Sequence, residues 1–225
     1  MSVPTVHAPP VEARSLYRFF RAGEEETLAL QGVSLTVAAG EFVVVVGPSG
    51  SGKSTLLSCV AGLDEPDGGT VLVEGARMSH QPEPVRAGIR ARRIGFLAQS
   101  VNLFGHLTVA GNVAFVRTLA ADRGRPVEAL LESVGLAGRA RAYPAELSGG
   151  ELTRAGLAVA LANHPAVLLA DEPTGELDRT TEARVLDLLV GAARGGAAMM
   201  VASHSPAVAA VADRVVRLQD GRVVA

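Results

Sequence analysis

The sequence predicts an α/β fold with a mostly parallel sheet, and three observations support this prediction. Short runs of apolar residues recur along the 225-residue chain, as they do in buried parallel strands. Segments with helical periodicity separate these runs, and alternating strands and helices favour right-handed parallel crossovers. A glycine-rich loop over residues 47–54 directly follows one of the apolar runs. We therefore expect a single domain over residues 1–225.

The first half of the chain predicts strands of two different sheets. Residues 28–37 alternate well enough for a strand, and Phe42–Val46 is an unbroken apolar run that predicts a buried one. A pair of glycines marks a turn before a further strand over residues 70–74. We expect residues 28–37 and 70–74 to lie in a small antiparallel sheet beside the main one. A short apolar strand over residues 94–98 ends at Gln99.

Helices dominate the middle of the chain and alternate with strands after it. Helices are predicted over residues 107–119 and 126–134, and we expect a helical lobe, about residues 100–147, to be inserted into the core. Residues 1–99 and 148–225 then form the α/β core together with the small antiparallel sheet. This core is completed by helices over residues 149–162 and 179–193 and by strands over residues 166–170, 197–202 and 215–218.

Composition and charge exclude several classes of protein. The chain has 21 Lys and Arg residues against 23 Asp and Glu residues and shows no basic stripe, so we expect no nucleic-acid partner. The single cysteine, Cys59, rules out an internal disulfide. No apolar run is long enough to cross a bilayer, and the N-terminal residues do not resemble a signal peptide. We expect a soluble chain that meets a membrane only through a partner.

The loop over residues 47–54 has the G-x-x-x-x-G-K-[ST] pattern of a phosphate-binding loop. Its glycines let backbone N–H groups turn inward, and the helix that follows adds unpaired donors and the positive end of its dipole. Lys53 adds a charge for the β- and γ-phosphates, and the Ser54 hydroxyl can bind Mg²⁺. An ordinary Gly/Ser-rich loop is the alternative, and the flanking strand and helix argue against it. The nucleotide-binding residues predicted here are Gly47, Pro48, Ser49, Gly50, Ser51, Gly52, Lys53, Ser54 and Thr55.

Two adjacent carboxylates, Asp171 and Glu172, directly follow the predicted strand over residues 166–170. Ligands of open parallel sheets bind beyond the carboxyl ends of the strands, which is where these side chains are expected. Asp171 can bind Mg²⁺ directly or through water, and Glu172 can orient and deprotonate an attacking water. The alternative is an acidic pair that only complements a helix dipole. The phosphate loop upstream favours the first interpretation.

A second glycine motif, Leu-Ser-Gly-Gly-Glu over residues 147–151, begins another predicted helix. Its serine is suited to be the N-cap, and its glycines let backbone N–H groups approach an anion. Because one nucleotide already has the loop over residues 47–54, we expect this motif to face a nucleotide held by another copy of the chain. A capped helix with a glycine turn is the alternative. The residues of this second site are Ser148, Gly149, Gly150 and Glu151.

The order of these motifs resembles that of ABC-type ATPases, with residues 147–151 as the signature motif of the family. The resemblance implies a P-loop NTPase core of the RecA-like type. It implies that Gln99 contacts Mg²⁺, the attacking water and the membrane partner, and that Glu172 is the catalytic base. It places Asp178 at the seam of a dimer and His204 beside the γ-phosphate.

The resemblance also implies an aromatic residue that stacks on adenine. Phe20 aligns best with that position, and Phe19 and Tyr17 are alternatives. An aromatic face under a base is worth about 1–3 kcal/mol in other base-binding systems. A core or edge aromatic without a ligand is the other interpretation.

Residues 169–178 are similar to one branch of the family, which serves lipoprotein-release, macrolide-export and cell-division permeases. Some positions depart from the usual pattern of the branch or family. Glu151 is present where glutamine is usual, Glu176 where asparagine is usual, Val159 where arginine is often found and Ala98 where an aromatic residue is usual. None of them removes a ligand of phosphate, metal or water. The departures therefore concern contacts with partners and coupling rather than hydrolysis.

The resemblance implies an ATP-binding and ATP-hydrolysing subunit that energises a separate membrane permease of the export or lipoprotein-extraction type. Two copies are expected to form a homodimer around two ATP molecules, with Mg²⁺ held by Ser54, Gln99 and Asp171. The chain would then be cytoplasmic and lie at the inner face of the cell membrane through its permease.

Two other classes are alternatives. A soluble, non-transport ATPase of the same superfamily, acting on nucleic acid or ribosomes, usually carries a coiled coil, zinc modules or a second ATPase half. This sequence has one cysteine and one phosphate loop. A P-loop kinase or GTPase would leave the second glycine motif and His204 without a role.

Overall fold

The computed structural model describes residues 8–22, 25–100, 103–120, 126–175 and 177–224. The strands in chain order are β1 Val11–Ala22, β2 Glu25–Val37, β3 Phe42–Val46, β4 Gly68–Val73, β5 Ala76–Arg77, β6 Ile94–Leu97, β7 Val167–Asp171, β8 Ala198–Ala202, β9 Arg214–Gln219 and β10 Arg222–Val224. The helices are α1 Lys53–Val60, α2 Glu83–Arg93, α3 Val109–Ala120, α4 Val127–Ser133, α5 Gly149–Leu161, α6 Arg179–Arg194 and α7 Pro206–Val211, with short 3₁₀-helices over Ala137–Arg139 and Pro144–Glu146. None of the helices in the described ranges has the length and apolar character of a membrane span.

Within the described ranges the larger sheet has six strands in the order β10-β9-β3-β8-β7-β6, and all of them pair in parallel except β10. Side chains of the central strand β3 alternate between the two faces of the sheet. Val43 and Val45 pack in the core that contains α1, whereas Phe42 and Val44 pack in the core that contains α6. Burial on both faces explains why β3 is apolar throughout. The predicted α/β core with a mostly parallel sheet is confirmed.

The smaller sheet, as far as the structure describes the chain, has four antiparallel strands in the order β2-β1-β4-β5 and confirms the predicted antiparallel sheet. The sequence analysis did not predict β1, which is one of its inner strands. The irregular register of β1 explains the omission. Ser15 has a φ of 48°, and the pairing with β2 shifts between Ala13 and Leu16. Such a bulge breaks the alternation of apolar and polar residues on which strand prediction depends.

The described residues between 99 and 147 form helices and turns, and α3 and α4 share an apolar core with α5. Buried Asn112 fixes the turn before α3, because its amide nitrogen donates to the carbonyl oxygens of Phe104 and Thr108 at 3.2 and 3.0 Å. The Thr108 hydroxyl accepts from the N–H of Gly111 at 3.1 Å. Helix α3 therefore begins directly after this threonine and not at residue 107 as predicted.

Helix α2 is the longest helix that the sequence analysis missed, and α7, β5 and β10 are shorter elements that it also missed. Among its residues only Ile89 is buried. Glu83 pairs with Arg86 at 2.9 Å and with Arg90, and Arg86 also reaches Glu65 at 2.9 Å. Because ion pairs rather than an apolar stripe cover this helix, a search for helical periodicity has too few apolar residues to detect it.

The parallel strands end at one edge of the larger sheet and so bring distant motifs together. β3 leads into the loop over residues 47–54, and β6 is followed by Gln99. β7 ends at Asp171, and β8 is followed by Ser203 and His204. The carboxyl edge of the sheet, where ligands of such folds bind, therefore carries most of the predicted site.

Candidate functional site

An open cleft of about 1300 Å³ lies at the carboxyl edge of the larger sheet. Lys53 and Ser54 of the phosphate loop line it, and so do Gln99, Glu172 and His204 from the ends of three strands. The antiparallel sheet closes another side of the cleft with Phe20, Thr27 and Ala29. The structure thus brings together residues that the sequence analysis assigned to phosphate, water and base.

Two glycines of the phosphate loop, Gly47 and Gly52, are required by close approaches of the backbone. A Cβ at Gly47 would lie 2.1 Å from the carbonyl oxygen of Leu218, and one at Gly52 would lie 2.3 Å from that of Ala29. Gly52 also has a φ of 99°, which residues with a side chain rarely adopt. The loop is therefore packed against neighbouring strands, and α1 begins directly after Gly52 with its unpaired N–H groups.

The ammonium group of Lys53 lies over the phosphate loop. Its Nζ donates to the carbonyl oxygens of Gly47 at 2.9 Å and Pro48 at 3.1 Å. Both acceptors are neutral, so they do not compensate the positive charge of Lys53. This charge and the N-terminus of α1 make the loop suited to an anionic ligand.

Asp171 and Ser54 form the part of the site that suits a divalent cation. Asp171 is the last residue of β7 and is 9% exposed. Burial raises the pKa of Asp171, and a hydrogen bond with the Ser54 hydroxyl partly offsets this effect. Its Oδ1 is buried and has no hydrogen-bond partner among the described residues. A hydroxyl beside a carboxylate with an unpaired oxygen fits Mg²⁺ and its bound water.

Glu172 and His204 contact each other, which the sequence analysis did not predict. His204 Nδ1 lies 3.0 Å from Glu172 Oε2, and the same oxygen accepts from the Ser203 hydroxyl at 3.2 Å. Glu172 has a φ of 46°, which is uncommon for a residue with a side chain, and its N–H donates to the carbonyl oxygen of Ala202 at 2.9 Å. The residues around the end of β8 therefore hold this carboxylate in place, as a general base requires.

The signature motif lines a second cleft, whose lining residues do not include Lys53, and Gly149 also lines the first cleft. The Ser148 hydroxyl accepts from the N–H of Glu151 at 3.3 Å, and Glu151 Oε2 accepts from the N–H of Ser148 at 2.9 Å. This capping box shows that Ser148 is the N-cap of α5. A Cβ at Gly150 would lie 2.4 Å from Thr181 Cγ2, so this glycine is also needed where α5 packs on α6.

Glu151 carries a charge that Arg139 balances. Arg139 Nε donates to Glu151 Oε1 at 2.8 Å. Hydrogen bonds from the Ser148 N–H, from Arg139 and from the Ser148 hydroxyl lower the pKa of Glu151 to about 2, so this carboxylate is ionised at neutral pH. The sequence analysis identified the glutamate as a departure but missed the arginine that compensates for it. Glu176, another departure, lies outside the described residues.

Asp178 and two arginines complete the second cleft. Asp178 is the N-cap of α6, and the Thr181 hydroxyl donates to it at 2.6 Å. Bonds from this hydroxyl and from the Thr181 N–H lower the pKa of Asp178. Arg154 and Arg184 also line the cleft, and the sequence analysis missed them because neither belongs to a motif. The spacing of four residues between Gly150 and Arg154 could have indicated the first, because such residues share a helix face.

Of the three aromatic candidates, Phe20 is the one that lines the first cleft. Tyr17 lies over glycines of the antiparallel sheet instead. A Cβ at Gly32 would lie 3.0 Å from the Tyr17 hydroxyl, and one at Gly68 would lie 3.6 Å from the Tyr17 Cβ. The position of Phe20 beside the phosphate loop favours it over Tyr17 as the residue that meets a base.

Comparison with known proteins identifies the family. A family model described as an ABC transporter matches residues 30–175. The chain belongs to this family. An uncharacterized ABC transporter ATP-binding protein of Mycobacterium tuberculosis is 42% identical, over 96% of this chain and 89% of the relative. A methionine import ATP-binding protein of Thermobifida fusca is 44% identical, over 95% of this chain and 68% of the relative.

Solved structures of ABC transporter cassettes have the same fold. The dimeric structure of the cassette MJ0796 matches with a TM-score of 0.88 at 34% identity, over 96% of this chain and 97% of that chain. A dimeric post-hydrolysis state of the same cassette, bound to ADP and Pi, matches with a TM-score of 0.89. The chain is an ATP-binding subunit of an ABC transporter and hydrolyses ATP in a reaction coupled to transport. The predicted family, fold class and ATPase activity are confirmed.

Proposed function

We propose that two copies of this ABC subunit enclose two ATP molecules, each between the phosphate loop of one copy and the signature motif of the other. One observation carries this proposal. Lys53 lines the first cleft of the chain, whereas Ser148, Gly150 and Glu151 line the second and not the first; Gly149 lies at the border and lines both. A second copy would bring its signature motif to a triphosphate held at Lys53. The MJ0796 cassette, to which this chain is similar, is dimeric in its structure.

The geometry supports hydrolysis by positioning and electrostatics, without a covalent intermediate. In the proposed mechanism Glu172 orients the attacking water and accepts its proton. The Ser203 hydroxyl, 3.2 Å from Glu172 Oε2, and the His204 Nδ1, 3.0 Å from it, keep the carboxylate in position. His204 is well exposed and free to contact the γ-phosphate, while Lys53 neutralises negative charge on the phosphates.

Ser54, Gln99 and Asp171 are the proposed ligands of Mg²⁺, with Asp171 acting partly through water. Bound there, the ion would supply positive charge to the phosphate oxygens during transfer. The unpaired, buried Oδ1 of Asp171 supports this assignment, and so does its contact with the Ser54 hydroxyl. Gln99 is exposed and lines the same cleft.

A separate membrane permease is the proposed partner, and its docking would place the chain at the cytoplasmic face of the membrane. Phe104, Phe115 and Leu119 expose 46%, 40% and 58% of their surface. The rings of Phe104 and Phe115 meet edge to face with centroids 5.1 Å apart. Leu103, the neighbour of Phe104, lines the nucleotide cleft together with Gln99. An exposed apolar patch next to this cleft supports docking of the permease at a place where ATP binding could alter the contact.

The permease is proposed to be of the export or lipoprotein-extraction type, because residues 169–178 resemble that branch. Import is the second candidate. Relatives named methionine import ATP-binding proteins are 44% and 43% identical, although this chain spans 68% and 66% of their length. Purification of the chain with its permease from membranes separates the two candidates. A permease with a large domain outside the membrane would favour the first.

An ATP-dependent dimer is the test of the proposed function. A Glu172→Gln variant with Mg-ATP is expected to double its molecular mass in light scattering, because unhydrolysed ATP keeps both copies together. The matched control adds Ser148→Arg, which should obstruct the signature motif but leave ATP binding at Lys53 intact. A Glu172→Gln variant that binds ATP and stays monomeric at high protein concentration contradicts the proposal.

The charge of the signature motif predicts how tightly the dimer forms. Glu151→Gln leaves Arg139 unpaired and so adds a positive charge opposite the triphosphate of the other copy. In the Glu172→Gln background we expect the ATP-driven dimerisation constant to rise about two- to fivefold at low salt, the size typical of exposed charges. Arg139→Ala should lower it, and the exposed Arg141→Ala serves as control. Equal constants by sedimentation equilibrium for all variants would show that this charge plays no part.

A further inference from the structure

Arg18 of strand β1 is held against the aromatic ring of Phe20. Its guanidinium carbon lies 4.7 Å from the ring centroid, which is within the range of a cation–π contact. The Arg18 side chain is only 21% exposed, so water competes little for this contact. One face of the Phe20 ring is therefore covered by the protein itself.

Two aspartates fix the guanidinium in this position. Arg18 Nε and Nη2 donate to the two carboxylate oxygens of Asp64 at 2.9 and 2.7 Å, and Nη1 donates to Asp67 at 3.0 Å. The Asp67 carboxylate also accepts from the N–H of Phe19 at 2.8 Å, which ties this aspartate to β1. A bidentate pair and a third hydrogen bond leave the planar guanidinium little freedom.

The rest of the Phe20 ring is available to a ligand. Phe20 is 43% exposed and lines the nucleotide cleft together with Thr27, Ala29 and the phosphate loop. A flat base attached to a triphosphate on that loop would meet the ring on the face that Arg18 does not cover. Any base can stack on an aromatic ring, but a purine offers a larger stacking surface than a pyrimidine.

We propose that Arg18 is a positioning residue for the base of the bound nucleotide, because it orders the Phe20 ring from one side and leaves the other side for a purine. The inference rests on the ATP site proposed above. Ordering the ring in advance removes part of the conformational cost of binding. Asp64 and Asp67 act through Arg18 and do not touch the base. The competing explanation is that Arg18 only tethers β1 to the loop before β4.

The experiment compares a ligand with a base and one without. In the Glu172→Gln background, calorimetry measures binding of Mg-ATP and of magnesium tripolyphosphate to variants at Arg18. Arg18→Met is expected to weaken ATP binding about three- to fivefold, as for one cation–π contact, and to leave tripolyphosphate binding unchanged. In a Phe20→Ala background Arg18→Met should have no further effect. Arg14→Met is the matched control, because this exposed arginine of β1 pairs with Glu12 alone among the described ion pairs.

Several outcomes would overturn the proposal. A purely structural tether predicts that Arg18→Met lowers the melting temperature and weakens both ligands equally. The proposal is also excluded if Arg18→Met weakens ATP binding by the same factor in a Phe20→Ala background as it does when the Phe20 ring is present. Asp67→Asn provides a milder variant should Arg18→Met fail to fold, and it should weaken ATP binding in the same direction. Failure of the parent to bind either ligand would refute the nucleotide site itself, and this proposal with it.

Discussion

Replacing Glu172 by glutamine is expected to lower steady-state ATP hydrolysis at least about a hundredfold, the loss typical when a general base is removed. The amide has the shape of the carboxylate but cannot accept a proton from the attacking water. The contacts of Oε2 with the Ser203 hydroxyl and the His204 ring can be retained by an amide oxygen, so the fold around the end of β8 should persist. ATP affinity should therefore change little, and the loss should appear in kcat.

Phosphate release under steady-state and single-turnover conditions measures this effect. The matched control is Glu182→Gln, which makes the same chemical change on α6, where Glu182 accepts from the Ser205 hydroxyl at 2.7 Å. This control should hydrolyse ATP at the parent rate. A Glu172→Gln variant with normal turnover in both measurements would falsify the assignment of the base.

Glu172, the proposed base, has a φ of 46°. A residue with a side chain rarely occupies that region, and such strain persists only where the surroundings enforce it. Here the N–H of Glu172 is bound to the carbonyl oxygen of Ala202 at 2.9 Å, so β8 enforces the turn of the chain. The turn directs the carboxylate toward His204 and the cleft. Asp171, its neighbour, stays on the strand and points into the buried site instead.

The gathering of motifs at one edge of the sheet could be predicted from the sequence because parallel topology leaves little choice. Once Phe42–Val46 and residues 166–170 are identified as parallel strands, the groups that follow them must lie at the same edge. The proximity of the phosphate loop to the two carboxylates can then be predicted without any knowledge of side-chain packing. The shift of the last strand residue to Asp171 changes nothing in this argument, because the carboxylate remains at the strand end.

Some side-chain contacts around the site join residues that are far apart in the sequence, so no local sequence pattern predicts them. The Arg139–Glu151 pair joins a 3₁₀-helix to the signature motif, and Arg18 meets Asp64 across two strands and a helix. Neither sequence separation matches the periodicity of a helix or a strand. Strand β1 was missed for a related reason, since its bulges and exposed aromatics remove the alternation that marks a strand. Side-chain pairs between distant segments therefore had to be read from the structure.

Replacing Lys53 by methionine is expected to weaken Mg-ATP binding about ten- to a hundredfold, the range for loss of one hydrogen bond to a charged group. The ammonium donates to Gly47 and Pro48 carbonyls at 2.9 and 3.1 Å. These neutral acceptors are easily exchanged for phosphate oxygens, which attract the charge more strongly. Lys53→Arg keeps the charge but replaces a compact ammonium by a broad planar group. It should recover only part of the affinity in a calorimetric titration.

Chemical labelling gives an independent measurement, because Lys53 is the only lysine in the sequence. An amine-selective acylating reagent therefore modifies this side chain and the N-terminal amine, and mass spectrometry of the peptide that contains Lys53 reports on the site directly. If the ammonium turns from the loop carbonyls to the phosphates, Mg-ATP should slow acylation of Lys53 and leave that of the N-terminus unchanged. The N-terminal amine is thus an internal control in each sample. Equal acylation of Lys53 with and without saturating Mg-ATP would place the triphosphate away from this loop.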